Sequence, residues 1–160
     1  MGLSYILLMS MQLGSTPVAD NPQLALRSSA STAAVAPGDR VTLLLDVDLK
    51  KKMHIYAPGA TGYIAVDWQV PQTKAVTATK ARYPPAKIIK LQAINESVPA
   101  YEDHLRITRE IVIGVESDLS AAAGTDRTLT VEGTLVYQAC DDRKCYVPKS
   151  IPLKWMFSVR

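Results

Sequence analysis

Apolar and polar residues alternate one by one along much of this chain, and a period of two predicts β-strands. Val41, Leu43, Leu45, Val47 and Leu49 share one face, with Thr42, Asp46 and Asp48 on the other. Leu129, Val131, Leu135 and Tyr137 form a second stripe, in which Gly133 marks a bulge or a point of close packing. Ile151, Leu153, Trp155, Phe157 and Val159 alternate without a break to the end. Shorter strands are predicted at Leu24–Leu26, Met53–Tyr56, Ile64–Val70 and from Leu105 through Val115. Pro37-Gly38-Asp39 and Pro58-Gly59 read as turns.

Two stretches break the pattern. From Lys74 to Asn95 the alternation weakens, and Tyr83-Pro84-Pro85 forbids both helix and central strand, so an edge segment and a long loop are expected there. Asp118 to Gly124 holds three consecutive alanines and reads as one helical turn or a loop. With no long amphipathic helix and no internal repeat, seven to nine short strands imply an all-β antiparallel sandwich of two sheets.

The amino terminus stands apart. Tyr5 to Leu13 is an apolar run of signal-peptide length, but the first basic residue is Arg27, whereas a secretory signal wants positive charge ahead of the run. Residues 1–20 are therefore separated as an apolar leader, a signal remnant or linker, with a strand docked on the domain as the third reading. Residues 21–160 form the domain, and export is the favoured context.

Composition narrows the function. The 160 residues are 48% hydrophobic and 21% charged with a net charge of +3, which suits one globular domain and gives no basis for nucleic-acid binding. Lys50-Lys51-Lys52 reads as the solvated end of a strand. No Gly-rich phosphate loop and no Ser-His-Asp set is found, so no bound cofactor is expected, and with His54 and His104 fifty residues apart in no His-x-x-x-His pair no resident metal is expected either.

The chemistry rests on the only two cysteines, Cys140 and Cys145, with four residues between them in a loop flanked by two strong strands. A bridge closing so short a loop adds about 2 kcal/mol in the chain-entropy model, little for a staple, whereas a short loop closes readily in reversible exchange. Asp141 beside Cys140 disfavours a thiolate there, and Lys144 beside Cys145 favours one, so Cys145 is the expected attacking sulfur and Cys140 its resolving partner. Two other readings stay open: a binding sandwich with a structural disulfide, and a metal carrier using both sulfurs with His54 or His104.

Tyr137-Gln138-Ala139-Cys140 through Cys145-Tyr146-Val147-Pro148 resembles the redox loop of the amino-terminal domain of the thiol:disulfide interchange protein DsbD. Met53-His54-Ile55-Tyr56-Ala57-Pro58-Gly59, Gly62-Tyr63-Ile64, Tyr83-Pro84-Pro85-Ala86 and Val98-Pro99-Ala100-Tyr101-Glu102 are similar to the same family, in one order from about Leu24 onward. The resemblance implies a periplasmic immunoglobulin-like domain. Such a domain takes electrons from a membrane electron-donor domain or protein. It passes them to thioredoxin-like or disulfide isomerase clients through Cys140 and Cys145. It also implies a cap over the disulfide, best matched by the irregular segment from Tyr83 to Ser97, and places His54, Tyr56, Asp67 and Tyr101 near the site. Asp141, Asp142 and Lys144 would shape loop charge and docking. The gap between the cysteines is shorter than in the best-known member, and no counterpart of that family's membrane-embedded or terminal thioredoxin segments is found, so the sequence reads as an excised domain or a stand-alone protein working with partners.

Overall fold

The computed structural model describes residues 15–91 and 95–160. The apolar run from Tyr5 to Leu13 lies outside the described residues. Thr16–Asp20 forms strand β1, which pairs antiparallel with β2 (Leu24–Ala30), so the last residues of the expected leader are an edge strand docked on the domain. Asn21 makes the turn between them, its side-chain oxygen accepting the amides of Gln23 and Leu24.

The remaining strands are β3 (Ala34–Val35), β4 (Arg40–Leu49), β5 (His54–Tyr56), β6 (Asp67–Gln69), β7 (Val76–Ala78), β8 (Lys87–Leu91) and β9 (Glu96–Glu102). After them come β10 (His104–Ile113), β11 (Thr128–Tyr137), β12 (Ala139–Cys140) and β13 (Lys149–Val159). One sheet runs β1-β2-β4-β10-β7 and a second β3-β13-β11-β6. Every pairing in them is antiparallel except that of β3 with β13. The inner faces meet in a core where the Trp68 and Trp155 rings lie 5.7 Å apart among Leu43, Leu45, Ile107, Leu135 and Phe157. This is the expected sandwich, closed by the alternating stripes.

The structure adds a third sheet, β12-β5-β9-β8, that the sequence pattern did not separate from the other two. It forms because β8, inside the stretch expected to be irregular, pairs antiparallel with β9, which follows it; the expected cap segment includes β8, and its residues 92–94 lie outside the described residues. The strand expected over Ile64–Val70 is shorter, β6 alone, because Ala65 instead bridges Tyr56 and the Val66 amide donates to the Tyr56 carbonyl. The alanine-rich stretch is a two-turn helix, α1 (Glu116–Ala123). Glu116 and Asp118 place negative charge at its positive end, Leu119 and Ala123 bury one side, and Gly124 at φ 64° stops it. Val115, expected as strand, is its exposed N-cap.

Tyr137 fastens the end of β11, and with it the cysteine loop. Its ring is fully buried and its hydroxyl donates to Gln23 Oε1 at 3.1 Å. Gly133, in the same strand, is a close-packing point and not a bulge, since the β11–β13 register is unbroken from Thr128 to Tyr137. A Cβ there would sit 2.8 Å from the Gln69 carbonyl oxygen. Gly133→Ala is therefore expected to push β6 away and cost about 1–3 kcal/mol, read as a lower midpoint in urea unfolding at unchanged slope; unaltered stability would refute the packing argument.

Candidate functional site: a disulfide on the outer face of the third sheet

The third sheet has two faces with different work. Ile55, Tyr101 and Ala139 point one way, into the sandwich core. His54, Tyr56, Ala100 and Cys140 alternate with them and point the other way. There Tyr56, Ala60, Val98, Ala100 and Cys140 form a second, smaller apolar cluster, flanked by Tyr63, Ile89 and Leu91. A cavity of about 460 Å³ opens on this face, lined by Tyr56, Tyr63, Ile89 and Leu91, by His54, Lys90 and Glu102, and by the whole loop from Cys140 to Cys145.

Cys140 and Cys145 are joined by a disulfide, with Cα atoms 4.0 Å apart. The two sulfurs sit in unlike places: Cys140 is 1% exposed, in register with His54, whereas Cys145 is exposed on the loop. The Tyr56 hydroxyl lies 3.6 Å from Cys140 Sγ and 3.7 Å from Cys145 Sγ. A bridged sulfur carries no hydrogen, so the tyrosine is the donor in either contact. Burial, and then the Glu96 carboxylate, push the Tyr56 phenol upward, so it stays protonated and able to donate. Tyr63 stacks on Tyr56 at 4.3 Å and donates to Glu96 at 2.6 Å, a bond that raises its own phenol to about 12.

The loop is built around one carboxylate. Asp141 Oδ1 accepts the amides of Arg143 (2.8 Å) and Lys144 (2.9 Å), and Oδ2 accepts the Tyr146 hydroxyl (2.7 Å). The Tyr146 bond first, then the two amides, lower the Asp141 carboxyl to about 2. The Tyr146 amide in turn donates to the Ala139 carbonyl, which draws the loop back onto β12. His54 is buried, and its Nε2 has no hydrogen-bond partner. Desolvation lowers its pKa from the ordinary 6.5, against the opposing pull of Glu102, Asp142 and Asp141.

Residues 21–152 match the family model described as thiol:disulfide interchange protein DsbD, N-terminal. The chain belongs to this family. The N-terminal periplasmic domain of ScsB from Proteus mirabilis superposes with a TM-score of 0.51 at 15% identity, over 91% of this chain and 50% of that one. The chain thus spans half the length of the ScsB structure, and at that identity the likeness is one of fold. The reduced N-terminal domain of DsbD from Neisseria meningitidis gives a TM-score of 0.47 at 11% identity, over 88% of this chain and 82% of that one. No curated protein sequence matches the chain.

Of the residues expected near the site, this DsbD-family domain brings Cys140, Cys145, His54, Tyr56, Asp141, Asp142 and Lys144 around one cavity. Two stand elsewhere. Tyr101 lies on the core face of β9, and its hydroxyl donates to the Pro84 carbonyl at 2.8 Å, because alternation turns it away from Glu102 and Ala100. Asp67, on β6, is exposed and accepts the Gln69 side-chain amide. His104, considered for a metal site, is held by Asp48 at 2.8 Å on β4, a strand of another sheet. The charge argument for the sulfurs also changes form: Asp141 is engaged with its own loop, and the Lys144 ammonium lies 4.9 Å over the Tyr146 ring. Burial distinguishes the sulfurs instead. Sequence reasoning did not single out Tyr63, Ile89, Leu91, Glu102 or Tyr146 as site residues, although Tyr63, Glu102 and Tyr146 stand inside the family-like segments.

The Asp141 contacts make a testable loop brace. Because its folded pKa is depressed, the bracing is complete above the ordinary value of 3.8 and is lost as pH falls toward about 2. Asp141→Ala should accelerate hydrogen exchange of the Arg143 and Lys144 amides at neutral pH while leaving β11 and β13 protected; equal exchange in both proteins would show that the carboxylate braces nothing.

Proposed function

We propose that this domain is a periplasmic dithiol/disulfide exchanger, passing reducing equivalents from a membrane electron-donor domain or protein to oxidised thioredoxin-like or disulfide isomerase clients. The observation that carries this reading is the unequal placement of the two sulfurs: one reachable, the other covered and directly behind it. In the reduced domain the Cys145 thiolate attacks a client disulfide, one client sulfur leaves with the electron pair, and a mixed disulfide forms. Cys140 then attacks Cys145 Sγ, the client's second sulfur leaves as a thiolate, and the Cys140–Cys145 bond is restored. A donor dithiol reverses the sequence. No cofactor enters, since the sulfurs carry both electrons.

Three features support the cycle. Tyr56 donates toward either sulfur and can stabilise whichever becomes the thiolate. Ile89 and Leu91, on β8, border the sulfur cavity and limit access to it, the part expected of a cap. Asp142, Arg143 and Lys144 are exposed beside Cys145 and offer charges of both signs to a docking partner.

Trapping and titration test the proposal together. Cys140→Ser should retain a covalent partner from periplasmic extract through Cys145, and Cys145→Ser should retain far less because the remaining sulfur is covered. Equilibration with glutathione should give a two-electron midpoint above about −300 mV, the region of exchangeable bridges. A bond that resists glutathione, combined with no trapped partner in either variant, would mean the disulfide is structural.

A further inference from the structure

Three side chains stand in a row across the outer face of the third sheet. Cys140 on β12 is opposite His54 on β5, and His54 is opposite Glu102 on β9. Residues directly opposite in antiparallel strands share a face, with Cβ atoms about 4.5–5.5 Å apart. All three line the sulfur cavity. His54 is only 7% exposed, and its Nε2 is buried without a partner. Buried polar atoms are nearly always paired, so an orphan on a residue that lines the sulfur cavity calls for an explanation.

We propose that His54 is the proton acceptor and donor for Cys140, with Glu102 as the carboxylate that positions and supports its imidazole; this rests on the exchange reading above. Cys140 needs such a partner because its sulfur is covered, and a bare thiolate out of water is costly. In the resolving step His54 takes the Cys140 proton, the new thiolate attacks Cys145 Sγ, and the client sulfur leaves with the electron pair of the broken bond. The imidazolium then returns its proton to that leaving thiolate or to solvent. On reduction the order reverses: a donor thiolate attacks Cys145, Cys140 leaves with the electron pair, and His54 delivers the proton to it.

The other charged groups facing His54 do not fill this role. From β9, Glu102 stands on the far side of His54 from Cys140 and is ion-paired with Lys87. In the loop, Asp141 is engaged with Tyr146, and Asp142, Arg143 and Lys144 are exposed. Lys90 on β8 is exposed, and Tyr63 donates to Glu96. On β5 itself, the Tyr56 phenol is a donor to sulfur, not a base. Burial favours the neutral imidazole, the form that accepts a proton, while Glu102 stabilises the cation once formed.

A reduced domain mixed with excess chromogenic aromatic disulfide reports the two steps separately. A first thiolate is released when Cys145 attacks and a second when Cys140 closes the bridge. His54→Gln should leave the first release near the wild-type rate and slow the second about a hundredfold. The second release in the wild type should show an inflection below pH 6.5, absent in His54→Gln and moved to lower pH in Glu102→Gln. Glu102 is exposed, so its variant folds even if the His54 variant does not, and a displaced inflection is not a packing effect. Wild-type rates and pH profiles in both variants would overturn the assignment while leaving exchange intact. Absence of any second release from the wild type would instead remove the exchange reading, and this one with it.

Discussion

Two residue pairs hold the disulfide in place: Ala139 with Ile55, and Cys140 with His54. Through them β12 joins the third sheet, and the period of two then decides what faces what. Ala139 enters the core with Ile55, while Cys140 enters the cavity with His54 and Tyr56. A slip of one residue would exchange these roles, burying the sulfur in the sandwich and presenting a methyl group to the cavity. So short a pairing would not hold alone. The flanking contacts supply the rest: Tyr137 is anchored to Gln23 on one side, and the Tyr146 amide clamps the Ala139 carbonyl on the other.

That register also makes the two sulfurs chemically distinct. Cys140 is fixed by the sheet and covered, and Cys145 rides on a turn organised by Asp141. In the proposed exchange, attack from outside would fall to Cys145 and displacement from within to Cys140. The neighbouring charges are largely occupied already, Asp141 by three donors and Lys144 by an aromatic face. Among the described residues, Tyr56 is the polar group shared by both sulfurs, its hydroxyl lying 3.6 Å from Cys140 Sγ and 3.7 Å from Cys145 Sγ.

The alternating stripes of β4, β10, β11 and β13 were legible because each strand is long and buries one face, so period and partner agree. The cysteine pair and its neighbours His54 and Tyr56 were legible from motif and alternation together. The third sheet was not, because β5, β8 and β12 are only a few residues long and carry no periodic signal of their own; pairing creates them, β5 and β8 against β9 and β12 against β5. Tyr101 shows the same limit. It lies in a family-like segment beside Glu102, yet adjacent strand residues face opposite ways, and only the register tells which one meets the sulfurs. Nor could neighbours in sequence reveal that Asp141 bends back to accept the Tyr146 hydroxyl.

The separation of the small apolar cluster from the main core bears on how the domain can cycle. Tyr56, Ala60, Val98, Ala100 and Cys140 pack apart from the sandwich interior, divided from it by the third sheet itself. The bridge spans a sequence separation of five, and closing so short a loop restricts the unfolded chain by about 2 kcal/mol. Opening it therefore withdraws little from a fold whose stability comes from two large apolar faces meeting around Trp68 and Trp155. The sheet transmits position to the sulfurs without making the sandwich depend on their bond, and a scaffold with that property can remain folded in both oxidation states.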